Sequence, residues 1–427
     1  MTGAAYVDIY TRVHYSEPNA PRRGPQLKFA ICLTCIWDSV KVKIVEIREV
    51  SVPLEGNISN SLVSFAGHDV SLVAVISDVV RAGKPVAGLA FNSIGRFAQP
   101  GILRERIFPR LESADPETLL GGDGYFDCDK ILRLAMRNEK PGGHGDRACA
   151  VAALELAFWD LNAKLANQPA YVTIARHFGA TPLQRVPVYA AGGYYYSHGG
   201  LAALRDELSR YIDRGFNAFK IKVGGVSLSQ DMARIEAAIE ICGDGGRLAV
   251  DANGRFNFAE ALAYAKAIQP LALRWYEEIG DPLDFDLNRK IINCYPGPVA
   301  TGENLFSSQD VRNLLNFGGM RPGHDIFQMD AGLSYGLTEY ARMVAMLEEH
   351  GFDRKFMYPH GGHLINLHIV AGLNLGGCEA YPSVFQPFGG YSPECVIENG
   401  FIAPTERPGF GLDAKAELEP LIEQLLA

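Results

Sequence analysis

The stretch from Lys220 to His360 decides the fold, because it holds six short apolar runs that each close on a side chain able to bind a proton or a metal ion. The runs are FKIK (219–222), LAVD (248–251), RWYEE (274–278), PVATGE (298–303), IFQMD (326–330) and KFMYPH (355–360). The side chains recur at steps of 29, 26, 26, 27 and 30 residues, and they are Lys222, Asp251, Glu277, Glu303, Asp330 and His360. A strand, a turn and a returning helix occupy about 30 residues in a (β/α)8 barrel. We therefore predict an α/β fold of this type, with each side chain at the carboxyl end of its own strand, where barrel enzymes carry their chemistry.

The composition is that of a globular protein rather than of a nucleic-acid or membrane protein. The chain has 427 residues, of which 48% are hydrophobic and 21% are charged, and its net charge is −9. A negative charge argues against nucleic acid as the main partner, and no apolar run reaches the roughly 18 residues of a membrane span. The eight cysteines lie mostly in apolar contexts, such as Cys149 and Cys242, which favours reduced thiols. We expect a cytoplasmic enzyme.

Residues 1–40 do not share the patterns that follow them. The apolar run from Phe29 to Trp37 starts late and has no small-residue cleavage site, which argues against a signal peptide. Cys32 and Cys35 form a CxxC pair with no second pair and no βαβ context, so we expect neither a zinc site nor a redox site there. We interpret residues 1–40 as an N-terminal extension that is expected to be flexible.

The remaining chain divides into a mixed region and the barrel. Alternating apolar residues between positions 41 and 93 predict a small antiparallel sheet, and helical periodicity follows as far as Leu165. VPVYAAGGYYY (186–196) predicts the first barrel strand, and Cys378–Ser383 predicts the last. The tail from Gln386 is rich in Gly and Pro, so we expect it to fold back rather than form another domain.

Three carboxylates on consecutive predicted strands, Asp251, Glu277 and Glu303, indicate a metal site made only of oxygen ligands. Hard cations such as Mg²⁺ require such ligands, and zinc is disfavoured because no Cys or His joins the set. Glu277 and Glu278 should point to opposite faces of their strand, and we choose Glu277 because it keeps the 26-residue step on both sides. The structural alternative is that each acid pairs with a helix N-terminus or an arginine.

Lys220 and Lys222 are two residues apart on a strand and therefore share a face. Repulsion between the two ammonium groups, and from a nearby Mg²⁺, should lower their pKa values and let one of them accept a proton. The alternative, a lysine that is paired with a ligand carboxylate, is more plausible for Lys220 than for Lys222.

On the opposite side of the predicted barrel, Asp330 and His360 lie on neighbouring strands. A carboxylate that holds one ring nitrogen orients the imidazole and stabilises its protonated form. His363 completes a HGGH motif, but two glycines provide no helix to align a metal-binding pair, so we do not expect a metal site there. A cation, a lysine and an Asp-supported histidine together indicate proton abstraction next to a carboxylate, with the metal stabilising the enediolate.

Longer motifs around these residues resemble those of the enolase superfamily, mandelate racemase subgroup, and within it those of the D-tartrate dehydratases. The resemblance runs from near Lys41 to the C-terminus. Its marks are NEKPGGHG (138–145), YAAGGYYY (189–196), VDANGRFN (250–257), WYEE (275–278), ATGENLFS (300–307), GGMRP (318–322), LSYGL (333–337), PHGGH (359–363) and FQPFGG (385–390). The three carboxylates alone indicate only the superfamily, whereas the lysine loop, the triple tyrosine and HGGH together are more specific.

The resemblance implies a modified barrel over residues 185–384 and an α+β capping domain, which residues 41–184 form and residues 385–427 complete. It also implies a homo-oligomeric, Mg²⁺-dependent hydro-lyase that acts on a small hydroxydiacid. The implied metal ligands are Asp251, Glu277 and Glu303. The implied catalytic residues are Lys222 as the base, His360 with Asp330 as the acid, and Lys220. The implied substrate contacts are Lys140, Asn60, Tyr196 and Glu379.

One departure from the family pattern bears on the substrate. The chain has FNSIGRF at 91–97 where the family has FNSNGRY, so Ile94 replaces a polar residue that is expected near the substrate. This change leaves the chemistry alone but leaves the identity of the diacid open.

The predicted charges favour a dianionic substrate. Mg²⁺ and its three carboxylates sum to −1, Lys140 and Lys220 bring the sum to +1, and protonated His360 cancels Asp330. Our hypothesis is dehydration of a tartrate-like hydroxydiacid, such as D-tartrate to oxaloacetate and water. The alternatives are dehydration of a different acid sugar, or a racemase or epimerase with Lys222 and His360 as opposed bases. A non-catalytic descendant is disfavoured, because all six strand-end residues are present.

Overall fold

The computed structural model describes residues 42–142, 144–196 and 199–427. The N-terminal extension that we inferred, including Cys32 and Cys35, therefore lies outside the described residues. Lys41–Ala427 forms one compact unit. The domain boundaries at residues 184 and 385 within this unit stay a prediction.

The chain that follows Val42 begins with an antiparallel sheet, which in the described part consists of β1 (Ile44–Pro53), β2 (Asp69–Arg81) and β3 (Lys84–Phe91). Ala82 and Gly83, between β2 and β3, both have positive φ angles, 48° and 78°. Such a turn has the twist that a right-twisted hairpin requires. The sheet predicted from alternation is confirmed.

A helical region packs against this sheet. In the described chain it contains α1 (Pro100–Ile102), α2 (Phe108–Glu112), α3 (Cys128–Ala135), α4 (Gly145–Leu165) and α5 (Ala170–Phe178), with a π-helical turn between α1 and α2. Helix α4 is buried around nearly its whole circumference, as expected for a helix that is apolar on all sides. Gly88 in β3 allows this contact, because an added Cβ there would lie 2.0 Å from the carbonyl oxygen of Ala157 in α4.

The barrel strands are parallel and follow one another in chain order, and the last pairs with the first. As described, they are β4 (Val186–Gly192), β5 (Phe219–Lys222), β6 (Leu248–Asp251), β7 (Trp275–Glu277), β8 (Val299–Thr301), β9 (Ile326–Phe327) and β10 (Cys378–Ala380). Between β9 and β10 the described chain forms a single bridge, Phe327–Met357, instead of a strand. Pro359 has no N–H and prevents a regular strand there, although the N–H of His360 still donates to the carbonyl oxygen of Gln328.

Helices surround the strands. Within the described residues they are α6 (Gly200–Asp213), α7 (Leu228–Cys242), α8 (Phe258–Ile268), α9 (Phe285–Ile292), α10 (Ser308–Phe317), α11 (Leu337–Glu349) and α12 (Leu364–Leu373). Ser227 with Gln230 and Asn257 with Glu260 form capping boxes at the starts of α7 and α8. Gly243 ends α7 in the left-handed conformation, as its sequence position predicted.

The lower part of the barrel interior is filled by a layer of apolar side chains from successive strands. They form one cluster of buried residues, Tyr189, Ala218, Ala249, Trp275, Ala300 and Ile326. A filled interior leaves the carboxyl-end rim as the place where polar side chains of the strands can meet.

The C-terminal tail folds back on the rest of the compact unit, as predicted. It contributes β12 (Phe401–Ile402), which pairs antiparallel with β4, β11 (Ile397–Glu398), which pairs antiparallel with β12, and α13 (Glu419–Leu426). The guanidinium of Arg48 in β1 donates to the carbonyl oxygen of Leu425 at 3.0 Å. Among the described residues, none of the helices has the length and apolar character that a membrane crossing requires.

Candidate active site

The side chains that the sequence spacing singled out all lie at the carboxyl end of the barrel. Lys222, Asp251 and Glu277 are the last residues of β5, β6 and β7. Glu303 follows the end of β8 by two residues and Asp330 follows the end of β9 by three. His360 follows the Phe327–Met357 bridge by three residues. These side chains are buried, except for that of Glu303, which is half-buried.

Lysine–carboxylate contacts occupy one side of this site. Nζ of Lys222 lies 2.5 Å from Oδ2 of Asp251, and Nζ of Lys220 lies 2.5 Å from Oε1 of Glu277 and 2.8 Å from Oε1 of Glu379. Burial opposes the charged form of both lysines, but the carboxylates outweigh burial and raise the pKa of each. Lys220 does lower the pKa of Lys222, but by less than Asp251 raises it. Repulsion between the two lysines alone therefore does not lower the pKa of either, and the lowered pKa that we expected beside a bound Mg²⁺ stays a prediction.

Glu278 belongs to the site, contrary to the expectation that it points to the far face of its strand. Its backbone is left-handed, with φ of 39°, which ends the side-chain alternation of β7. Burial, followed by the nearby carboxylates of Glu303 and Asp251, raises the pKa of Glu278 well above its usual value. Asn304 donates a hydrogen bond to Oε1 of Glu278 at 2.8 Å.

These carboxylates have the donor chemistry of a magnesium site. They offer only oxygen atoms, as hard cations require, and their negative charges crowd one another. Burial and Asp251 together raise the pKa of Glu277 to about 8 in spite of Lys220. In the part of the chain that the structure describes, no three acidic, imidazole or thiol side chains are already arranged to hold a metal ion. The choice of Glu277 over Glu278 as the ligand beside Asp251 and Glu303 stays a prediction.

His360 lies across the rim from the lysines and is held at both ring nitrogens. Nδ1 lies 3.0 Å from Oδ2 of Asp330, and Nε2 faces Oε2 of Glu303 at 3.7 Å and the hydroxyl of Tyr381 at 3.0 Å. Burial alone would lower the pKa of His360, but Glu303 and the hydrogen bond to Asp330 raise it to about 10. The ring is therefore a proton carrier with a fixed orientation.

Asp330 is itself fixed by its surroundings. The N–H of Gly332 donates to Oδ1 of Asp330 at 2.8 Å, and the side-chain amide of Asn366 approaches the same oxygen at 3.4 Å. The amide of Asn366 also donates to the carbonyl oxygen of Gly361 at 3.0 Å. This network links α12 to the acid–imidazole pair and limits rotation of the imidazole.

The structure adds residues that sequence analysis did not single out. Tyr194 lies beside the lysines, with its ring centroid 5.2 Å from Nζ of Lys222. Gln328 is buried on the inner face of the barrel, two residues after Ile326, and neither of its amide atoms has a hydrogen-bond partner among the described residues. The alternation of β9 could have identified Gln328. Tyr381 follows the end of β10 by one residue, 21 residues after His360, and its position at a neighbouring strand end could have indicated it.

The residues that resemblance implied as substrate contacts are only partly brought together. Glu379 lies in the centre, where Oε1 contacts Lys220 and Oε2 accepts the N–H of Gly361 at 2.8 Å. The hydroxyl of Tyr196 instead donates to Glu207 at 2.8 Å. The side-chain oxygen of Asn60 accepts the N–H groups of residues 62 and 63 within its own loop. Lys140 is exposed, and Arg147 holds its carbonyl oxygen at 2.9 Å. The substrate roles of these four residues stay predictions.

The contacts of His363 and Ile94 indicate structural roles for both residues. Nδ1 of His363 accepts the N–H of Asn366 at the start of α12, and Nε2 lies 3.2 Å from the hydroxyl of Ser93. Burial lowers the pKa of His363 to about 4, so the ring is neutral at physiological pH. Ile94 is 2% exposed and belongs to the main hydrophobic core.

Comparison with known families agrees with this geometry. The family model described as Enolase C-terminal domain-like matches residues 203–418, which is half of the chain. The chain belongs to the enolase superfamily. The fold also matches that of a solved mandelate racemase/muconate lactonizing enzyme from Polaromonas sp. JS666, with a TM-score of 0.68 at 22% identity, over 87% of this chain and 94% of that one. The superfamily resemblance inferred from the motifs is thus confirmed. The finer resemblance to the D-tartrate dehydratases stays a prediction.

Relatives of this enolase-superfamily chain include several enzymes that act on acid sugars. It is 28% identical to the arabinonate dehydratase of Saccharolobus solfataricus, over 72% of this chain and 79% of the relative. It is 26% identical to the L-talarate/galactarate dehydratase of Salmonella typhimurium, over 87% of this chain and 88% of the relative. A racemase from Streptomyces coelicolor, solved with bound magnesium, matches the fold with a TM-score of 0.71 at 24% identity, over 90% of this chain and 99% of that one.

Proposed function

We propose that this protein is a Mg²⁺-dependent dehydratase of a hydroxy carboxylic acid of the acid-sugar class. The proposal rests on one observation: two side chains that can carry a proton lie on opposite sides of the same barrel rim. Lys222 lies with Asp251 on one side, and His360, held by Asp330, lies on the other. Such a pair can remove a proton from one carbon and donate a proton to a leaving group on the next carbon.

Each step has a residue to perform it. Nζ of Lys222 takes the proton from the carbon next to the substrate carboxylate, and the electron pair spreads into that carboxylate. The bond from the next carbon to its hydroxyl oxygen then breaks as His360 supplies a proton, because hydroxide is a poor leaving group. Water and an enol result, and the enol tautomerises to a 2-oxo acid. Lys222 must first lose its proton and its contact with Asp251, since an ammonium group cannot act as a base.

Asp251, Glu303 and either Glu277 or Glu278 would hold the metal ion. Bound Mg²⁺ would supply positive charge against the negative charge that develops on the substrate carboxylate. The solved racemase with bound magnesium supports this choice of metal. Lys220, which is ion-paired with Glu379 at 2.8 Å, lies beside the proposed base and would orient the reacting carboxylate.

An acidic substrate is supported by the relatives. The arabinonate and talarate/galactarate dehydratases both act on sugar acids, as their names state. The finer proposal, a tartrate-like diacid that yields oxaloacetate, rests on the motifs of the lysine loop, the triple tyrosine and HGGH. A monoacid or six-carbon diacid sugar fits the relatives better than a tartrate does, so the substrate chain length is the part that experiment must decide.

The test is a screen of tartrate isomers, aldonates and aldarates for 2-oxo acid formation by purified protein with Mg²⁺. Oxo acid formation that is abolished by EDTA and restored by Mg²⁺ supports the proposal. Inversion of a stereocentre without oxo acid formation would assign the protein as a racemase or epimerase instead, with Lys222 and His360 as opposed bases. If neither occurs with any acid of the panel, the proposed dehydratase is wrong.

A further inference from the structure

The hydroxyl of Tyr381 is hydrogen-bonded to Nε2 of His360, the ring nitrogen that would exchange a proton with a substrate. Asp330 holds Nδ1, so Nε2 is the ring nitrogen left to exchange a proton with a substrate. The hydroxyl oxygen of Tyr381 lies 3.0 Å from Nε2. An imidazole nitrogen has one in-plane hydrogen-bond direction. A substrate oxygen can therefore reach the proton on Nε2 only through this phenol or by displacing it.

Tyr381 is held firmly in this position. The side chain is 2% exposed, and its ring packs edge-on against Phe385 with a centroid distance of 4.8 Å. Burial, followed by the charge of Glu379, raises the pKa of Tyr381 well above its usual value, so the phenol keeps its proton at physiological pH. Displacing it would require the packed ring to move.

The hydroxyl of Tyr381 also has unused donor capacity. When His360 carries the proton that an acid must deliver, Nε2–H donates to the phenol oxygen. The O–H of Tyr381 is then free to donate elsewhere, and within the described residues it has no hydrogen-bond acceptor apart from His360. A buried donor without an acceptor is costly, and a hydroxyl oxygen of a bound substrate would satisfy it.

We propose that Tyr381 relays the proton from His360 to the departing hydroxyl group of the substrate. In this step the O–H bond of Tyr381 breaks and its proton forms a new O–H bond on the leaving oxygen. The carbon–oxygen bond breaks with its electron pair on that oxygen, which leaves as water. The phenol oxygen takes the proton of Nε2, so that Tyr381 is restored and His360 becomes neutral. The relay rests on the proposed dehydratase function.

The test compares Tyr381→Phe with the unmodified protein and with Tyr276→Phe. Phenylalanine keeps the ring and its packing and removes only the hydroxyl. Tyr276 is equally buried, and its hydroxyl has no hydrogen-bond partner within the described chain, so this control removes a buried hydroxyl without breaking a hydrogen bond. We expect Tyr381→Phe to lower kcat for dehydration about 100-fold, with KM changed less than about threefold, and Tyr276→Phe to leave both close to the original values.

A second substrate separates a relay from a structural role. Fluoride leaves without protonation more readily than hydroxide, so a substrate with fluorine in place of the leaving hydroxyl needs no acid relay. We expect Tyr381→Phe to eliminate fluoride at close to the original rate, and to retain exchange of the proton next to the carboxylate with deuterated solvent. Loss of fluoride elimination and proton exchange together with dehydration would show that Tyr381 only maintains the site, which overturns the relay.

The two proposals can fail separately. An active protein whose Tyr381→Phe variant dehydrates at the original rate overturns the relay and leaves the dehydratase proposal standing. A protein that forms no 2-oxo acid from any hydroxy acid overturns the proposed function, and the relay falls with it.

Discussion

Nζ of Lys222 lies 2.5 Å from Oδ2 of Asp251, across the ends of two adjacent parallel strands. The proposed base and a proposed metal ligand are therefore ion-paired. Lys222 and its neighbour Lys220 draw the pKa of Asp251 down to about 2 in spite of burial. Metal binding and proton abstraction at this site both require that this ion pair separates. The metal ligands and Lys222 are therefore the first residues to test by experiment.

The first prediction concerns the metal ligands. Glu303→Gln should abolish dehydration and weaken Mg²⁺ binding, measured by calorimetry, because a carboxamide lacks the charge that a hard cation requires. The melting temperature should stay close to the original value, since Glu303 is half-buried at the rim rather than in the core. Glu349→Gln, an exposed acid on α11, is the matched control and should change none of these quantities. Full turnover in EDTA-treated protein would contradict the magnesium assignment.

The second prediction divides the work between Lys222 and His360. Lys222→Ala should lose both dehydration and exchange of the proton next to the carboxylate, because no base remains to remove it. His360→Asn should lose dehydration, since the leaving group is no longer protonated, but should retain exchange, measured by NMR in deuterated solvent, because Lys222 can still remove the proton. If the lysine variant still dehydrates while the histidine variant neither exchanges nor dehydrates, His360 is the base and the roles are reversed.

The third prediction concerns pH-dependent stability. Glu155 in α4 accepts the N–H groups of Leu337 and Thr338 at the start of α11, at 2.8 and 3.0 Å. Burial raises the pKa of Glu155 from 4.5 to about 7, although these hydrogen bonds oppose the change. The folded state thus holds the proton more tightly than the unfolded state does. The contribution of Glu155 to the free energy of unfolding is fully present below pH 4.5 and falls by about 3 kcal/mol as the pH rises to 7.

Urea unfolding between pH 4.5 and 7.5 measures this contribution. Glu155→Gln should show a smaller decrease in the free energy of unfolding over that range than the original protein, because glutamine does not titrate. The variant will also be less stable overall, since its amide nitrogen cannot accept a hydrogen bond from α11. Equal pH slopes in the two proteins would show that Glu155 does not titrate in this window.

The fourth prediction concerns the N-terminal segment. Removal of residues 1–39 should change neither the melting temperature nor turnover, because Lys41–Ala427 forms a compact unit by itself. Thermal denaturation and the oxo acid assay on the shortened protein check this. A shortened protein that is insoluble or inactive would assign the segment a part in the fold.

The barrel and its rim could be predicted from the sequence because the information is local and repeated. Each unit of strand, turn and helix folds through contacts within about 30 residues, so equal spacing places Lys222, Asp251 and Glu277 at equivalent strand ends. Alternation predicted the antiparallel sheet, and the position of Gly243 predicted the end of α7. The pairing of Asp330 with His360 followed from the same argument, because neighbouring strands end at the same rim.

Only the tertiary structure decided how these side chains pair. Glu379 reaches Lys220 because the last strand closes against the first, a contact between segments 190 residues apart that no local pattern records. A left-handed backbone at Glu278 overrode the alternation that would have turned its carboxylate away. The direction of the pKa shift of Lys222 likewise could not be predicted from the sequence. That direction depends on whether Lys220 or Asp251 acts on Lys222 more strongly, and in a buried site the distances decide between them.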